Sequence, residues 1–176
     1  MKPETITLGG GCFWCTEAVF LEVDGVLAVE PGYCQGHVSQ PTYEQVCDGD
    51  TGHVEVVKVE FDADRIGLRE ILEIFFAVHD PTTRDRQGND VGPQYRSGVY
   101  LHDGAQQAVA HAVRDEAGQA LGARVVTEIE PLRNYSTAEA YHHRYFENHP
   151  NQGYCSFVVG PKVAKFRKTF SARLRR

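Results

Sequence analysis

The chain has 176 residues, 41% hydrophobic and 24% charged, a balance that gives one folded domain with a sizeable core and excludes a disordered or low-complexity chain. Its formal net charge is -6, yet Pro161 to Arg176 holds seven of the 18 basic residues and no acid, leaving 11 bases against 24 acids and a net charge of -13 for the rest. That acidic body argues against a nucleic-acid substrate, and the basic segment from about 161 reads as a solvated C-terminal helix face.

No apolar run reaches the ~20 residues that cross a bilayer. Five cysteines, an odd number with no charged-then-apolar leader, lead to the expectation of a cytoplasmic protein whose thiols are free or catalytic. No internal repeat and no linker-like shift in composition divides the chain, so 1–176 is read as one domain.

Thr5 to Leu8 is a short β-branched run, and Gly9-Gly10-Gly11 after it allows a sharp turn into a helix beginning near Cys12, where the permissive backbone of glycine is needed. A thiol at a helix start is favoured as thiolate by the unpaired N–H groups and the dipole, so Cys12 is the candidate nucleophile. Cys15 follows on the same helical face, and Phe13 and Trp14 set two rings beside Cys12. The plainer alternative is a pair of core rings with two buried cysteines.

Further along, Gly25 to Val29 is expected to be a strand and Pro31 to Pro41 a loop. His53 to Phe61 alternates, with His53, Glu55, Val57, Val59 and Phe61 on one face. Leu68, Ile71, Leu72, Phe75, Phe76 and His79 recur at helical spacing, which predicts a helix over Leu68 to His79. Asp80 to Tyr95 is polar and follows neither period, as an ordered functional loop would. Ser97 to Leu101 reads as strand, Gly104 to Leu121 as helix and Val125 to Glu130 as strand. Ser136-Thr137-Ala138-Glu139 has capping-box spacing and should open a helix through about Asn148. Asn151 to Cys155 is expected to be loop, followed by a helix carrying Val163, Phe166, Phe170 and Leu174. The order β, α, β, β, α, β, α, β, α predicts an α+β two-layer sandwich.

Among chemical groups, Glu55 shares its strand face with apolar residues, which would raise its pKa and make it a proton donor near neutrality. Tyr43 and Tyr95 flank loops and could bind a polar oxygen, while Asp90 and His53 are undecided by themselves. His142, His143 and His149 invite a metal reading with the cysteines. No second CxxC exists, and adjacent histidines on a helix point apart, so a zinc-stabilised binding module ranks below redox chemistry. A thiol-disulfide oxidoreductase working through Cys12 and Cys15 is the competing enzyme reading, and it has no comparable need for a buried acid at Glu55.

Several ordered motifs run from about Thr5 to Phe170: Gly11-Cys12-Phe13-Trp14, Gly32-Tyr33, Pro41-Thr42-Tyr43-Glu44-Gln45-Val46-Cys47, Gly49-Asp50-Thr51-Gly52-His53-Val54-Glu55, His79-Asp80-Pro81, the stretch from Arg86 to Ser97, and Gly153-Tyr154-Cys155. Together they resemble the A-type peptide methionine sulfoxide reductases. The resemblance implies a ferredoxin-like α+β core with extra helices and long ordered loops, no metal, no organic cofactor, and reduction of the S epimer of methionine sulfoxide, free or in proteins.

Carried over by residue, the resemblance implies Cys12 as nucleophile, Phe13 and Trp14 as walls for the substrate methyl, and Glu55 as the acid that protonates the sulfoxide oxygen. Tyr43 and Tyr95 would hydrogen-bond that oxygen, with Asp90 in support. Cys155 matches the resolving cysteine, which implies a Cys12-Cys155 disulfide and regeneration by thioredoxin. The expected protein is a monomer without nucleic-acid or membrane partners. Cys15 and Cys34 depart from the family pattern and are conceivable alternate resolving thiols, and Cys47 is read as a buried structural thiol. Cys15 is expected to turn toward the core, and Cys155 to sit in a mobile glycine-containing stretch.

Overall fold

A computed structural model describes all residues, Met1–Arg176. Its elements in chain order are β1 (Pro3–Gly9), α1 (Phe13–Phe20), β2 (Val26–Cys34), α2 (Tyr43–Cys47), β3 (Val54–Asp62), α3 (Leu68–Val78), β4 (Arg86–Gln87), β5 (Asp90–Val91), β6 (Gly98–Leu101), α4 (Gln106–Leu121), β7 (Glu128–Pro131), β8 (Ser136–Thr137), α5 (Tyr145–Asn148) and α6 (Gly160–Thr169).

The main sheet has the order β7-β6-β1-β3-β2-β8. Its four inner strands, β6-β1-β3-β2, pair antiparallel throughout, and with α1 and α3 as crossovers they form the expected ferredoxin-like split βαβ arrangement. β7 adds to β6 in parallel through α4, and β8 closes the other edge on β2. Alternation along the strands divides the sheet cleanly. Ile6, Leu8, Tyr33, Val57, Val59 and Phe61 face a core shared with α1, α3, α4 and α6, whereas Cys34, Val54, Val56 and Tyr100 form a small cluster on the opposite face. The result is a two-layer α+β sandwich. No helix is long and apolar enough to cross a membrane.

Four local expectations fail for identifiable reasons. Pro31 to Cys34 is strand, because Gly32, Tyr33 and Cys34 pair with Val56, Glu55 and Val54, and sheet pairing overrides the turn preference of Pro and Gly. Ser136 does not cap a helix. Ser136 and Thr137 pair with Tyr33 and Gly32, and the helical structure that follows is only a 3-10 turn, Ala140–His142, and the one-turn α5. The capping box that forms is Thr42 with Gln45, at the start of the unanticipated α2.

Cys155 also departs from its expected loop, since it opens a π-helical turn, Cys155–Val159, that runs into α6. Pro161 has no N–H and would crowd an α-helical carbonyl four residues back, and the wider turn accommodates it. At the C-terminus α6 stops at Thr169, and Leu174 forms a β-bridge with Val23. The tail is not simply solvated: Arg175 donates to the carbonyls of Leu21, Val23 and Val26.

The 80–95 stretch is ordered, as its composition suggested. β4 and β5 form a small hairpin, and a 3-10 turn, Pro93–Tyr95, packs against β3.

Candidate active site

The β1–α1 turn explains its glycines. Gly11 has φ of 91°, and a Cβ there would lie 2.6 Å from Cγ of Gln87, so only glycine fits. The turn makes Cys12 the N-cap residue of α1, with the Cys15 N–H donating to its carbonyl at 3.1 Å. Cys12 is 8% exposed.

Glu55 lies on β3 opposite Tyr33 on β2, on the core face of the sheet, and is 1% exposed. Its Oε1 accepts the N–H of Phe13 at 3.2 Å, while Oε2 is buried without a partner. Burial pushes its carboxyl from 4.5 up to about 8, the Asp90 charge adds to the rise, and the Phe13 N–H opposes it. Glu55 is therefore a neutral acid at pH 7, as its strand pattern predicted.

The thiolate expectation for Cys12 is corrected. Burial first, then the Cys15 thiol and Glu55, push its thiol well up, with the Trp14 N–H pulling the other way. The helix start does not supply its full complement of donors, because the Phe13 N–H is given to Glu55. Cys12 and Glu55 thus rest as two neutral groups joined by one peptide unit.

Around them stands an aromatic box. Phe13 is 1% exposed and stacks on Tyr43 with 6.3 Å between ring centroids, and both rings contact His142, at 4.9 and 4.4 Å. Half-buried Trp14 donates its indole N–H to Nδ1 of His142 at 3.0 Å, lies flat on Tyr145 at 3.8 Å and meets the edge of Tyr154 at 5.9 Å. Because indole is donor-only, His142 carries its proton on Nε2, and burial lowers its pKa to about 4, so it is neutral. Burial, with Glu55 second, also raises the Tyr43 and Tyr95 hydroxyls, which keeps both as donors.

Asp90 is held differently from expectation. It accepts the Tyr154 hydroxyl at 2.5 Å, and that hydroxyl is 3.9 Å from Sγ of Cys15. Tyr154, Tyr145 and His142 were not assigned from sequence. Tyr154 lies in the Gly153-Tyr154-Cys155 motif, and the only chemistry that the sequence points to at His142 is metal binding. The three histidines do not converge: His143 bonds the Ala138 carbonyl and His149 stacks on Tyr145. Nowhere do three His, Cys, Asp or Glu side chains gather as a metal requires. His53 bridges Val38 O and the Gly36 N–H and so braces the loop before Glu55.

All five cysteines are unpaired. Cys15, 4% exposed, is buried as expected; its thiol lies 3.9 Å from the Tyr154 hydroxyl, and the neighbouring Cys12 thiol is the first cause that holds its pKa below the ordinary value. Cys155 is fully buried in the main core, and burial raises its thiol, with Cys15 adding. Cys34 is corrected as an alternate resolving thiol, because it packs with Val54 and Val56 on the opposite face and the sheet separates it from Cys12. Cys47 is corrected too. It ends α2 exposed, since Val46 is the residue of that helix that enters the core.

A family model described as peptide methionine sulfoxide reductase matches residues 4–174. The peptide methionine sulfoxide reductase MsrA of Saccharolobus solfataricus is 52% identical over 172 residues, covering 98% of this chain and 97% of that protein. Mxr1 from Saccharomyces cerevisiae in reduced form superposes with a TM-score of 0.81 at 36% identity, over 88% of this chain and 90% of that one. The same yeast protein in complex with Trx2 gives a TM-score of 0.57 at 28% identity, over 82% and 85%.

Proposed function

Because the chain belongs to the peptide methionine sulfoxide reductase family, we propose that it reduces the S epimer of methionine sulfoxide, free or in proteins, through a sulfenic acid on Cys12. One observation carries this reading: the buried, neutral Glu55 accepts the N–H of the peptide that joins Cys12 to Phe13 and has its second oxygen unpartnered. A sulfoxide sulfur becomes electrophilic only as its oxygen gains a proton, so the chemistry needs an acid on one side and a sulfur nucleophile on the other.

In the proposed step Glu55 gives its proton to the sulfoxide oxygen as Cys12 attacks sulfur, and the thiol proton of Cys12 replaces it on Glu55. The S–O bond breaks as Glu55 protonates the oxygen again, releasing water and leaving the Cys12 sulfur bonded to the substrate sulfonium. A water molecule then gives a proton to Glu55 and adds to the Cys12 sulfur, the S–S bond breaks, methionine leaves, and Cys12 holds the new oxygen as sulfenic acid. Tyr43 and Tyr95 donate to the oxygen, and Phe13 and Trp14 enclose the methyl. Asp90 acts through Tyr154 and by keeping Glu55 protonated. Cys155 then condenses with the sulfenic acid, releasing water and forming a disulfide. Thioredoxin reduces it by dithiol exchange, a partner supported by the yeast relative's complex with Trx2. The cycle needs no metal or organic cofactor.

The cycle is tested by one equivalent of substrate without reductant, followed by peptide mapping. Cys12 linked to Cys155 is the expected product, and Cys155→Ser should release one methionine per enzyme and then stall with thioredoxin. A dominant Cys12-Cys15 linkage would reassign the resolving thiol. That outcome belongs to a second reading, disulfide exchange through Cys12 and Cys15, which the lowering of the Cys15 thiol by its Cys12 neighbour favours and which insensitivity of turnover to Glu55 would support.

Chirality gives a separate expected result. A pocket with the methyl on Phe13 and Trp14 and the oxygen on Tyr43, Tyr95 and Glu55 fits one arrangement about sulfur, so a racemic sulfoxide should be consumed to half. Complete consumption, followed by chiral chromatography, would contradict the geometry.

A further inference from the structure

Glu17 is a carboxylate that the proposed reaction leaves unused, 1% exposed on α1. It stands three residues after Trp14, a spacing that puts both on one side of the helix. Its Oε2 accepts the backbone N–H of Arg144 at 2.8 Å. Arg144 has φ of 56°, a left-handed conformation that a residue with a Cβ keeps only where its surroundings hold it. Its guanidinium pairs with Glu147, so the turn uses the oxygen of Glu17 as an acceptor for its main-chain N–H. From that turn the chain enters α5, whose first residue, Tyr145, lies on the Trp14 indole at 3.8 Å and 6°.

We propose that Glu17 is a positioning residue for the substrate pocket: by holding the main-chain N–H of Arg144, just before α5, it fixes Tyr145 under Trp14, and through that stack it fixes the indole wall. The helix that presents Trp14 thereby also grips the segment that backs it. This inference rests on the reading of Trp14 as a wall for the substrate methyl.

Trp14 is the only tryptophan, so intrinsic fluorescence reports on it without labelling. Glu17→Ala is expected to shift the emission to the red and to raise KM for methionine sulfoxide about 3- to 10-fold, the worth of an aromatic stack, with kcat little changed. Glu17→Gln keeps an acceptor oxygen and should restore both readings. Tyr145→Leu should reproduce the KM change, and the Glu17→Ala/Tyr145→Leu double variant should be no worse than either single one, as coupled residues are. Should Glu17→Ala not fold, Glu17→Asp withdraws the carboxylate by one methylene and should give the same shifts at smaller size.

Unmoved emission and KM in a folded Glu17→Ala or Glu17→Asp protein would overturn the proposal. So would a Glu17→Gln variant as impaired as Glu17→Ala, or strictly additive effects with Tyr145→Leu. A wild-type protein that turns over no sulfoxide would remove the functional reading alone, and the emission of the same variants would still decide the role of Glu17.

Discussion

Replacing Cys12 by serine is expected to reduce sulfoxide turnover to background while the protein stays folded. The serine hydroxyl is nearly isosteric, but oxygen at this position cannot become a sulfenic acid and then condense with a thiol. The structural cost should be about 1 kcal/mol, the usual size for a single substitution, because the backbone of the turn is set by Gly11 and by the Cys12 carbonyl, and neither changes. Turnover and thermal unfolding measured on one preparation separate the two effects. Retained turnover in Cys12→Ser would remove the nucleophile assignment and with it the whole cycle, whereas loss of both turnover and folding would mean that the thiol packs more tightly than its 8% exposure suggests.

The features that survive from sequence to structure are those in which local and long-range forces agree. Along β3 the apolar alternation sets Glu55 on the same side as Val57, Val59 and Phe61, and the fold buries that side beneath α1. Burial of an acid could therefore be read from its neighbours. The glycines before Cys12 were legible for the same reason, since the turn they permit is one the β1–α1 connection requires. Where two similar local signals compete, the decision is made by distant residues. Thr42 and Ser136 both carry the capping-box spacing, and only Thr42 caps, because β2 captures Ser136 and Thr137 as its edge partner. Glu139, the residue that would have completed the second box, instead accepts the Tyr33 hydroxyl and the Tyr43 N–H, each at 2.8 Å.

Most site residues from the last third of the chain were illegible for a related reason. His142, Tyr145 and Tyr154 have no periodic or motif signal of their own that points to Trp14. They reach it through the 3-10 turn Ala140–His142, the turn at Arg144 and the π-helical turn at Cys155, all products of tertiary packing. The charge state of Cys12 was misjudged from a local argument that holds for an isolated helix start. A buried carboxyl on a neighbouring strand takes the first N–H, and desolvation then outweighs what remains of the helix-end field.

Glu55→Gln should keep substrate binding and slow the chemical step on the order of 10²- to 10⁴-fold, the range that general acid catalysis contributes. Glutamine matches the shape and can still accept the Phe13 N–H, but it has no proton to give to the sulfoxide oxygen. The pH dependence adds an independent check. With the Glu55 carboxyl raised to about 8, the wild-type rate should fall as pH rises through that value, and the residual rate of the variant should lose this limb.

Stability moves with the same group. In the folded protein Glu55 keeps its proton between its ordinary value of 4.5 and about 8, whereas the unfolded chain has already released it, so the folded state binds more protons across that window. Wild-type stability should therefore decline from about pH 4.5 to about pH 8 and then level off. The glutamine variant should lack that decline. Denaturant unfolding of both proteins across the window measures the difference, and parallel curves would show that Glu55 ionises normally and is not the acid.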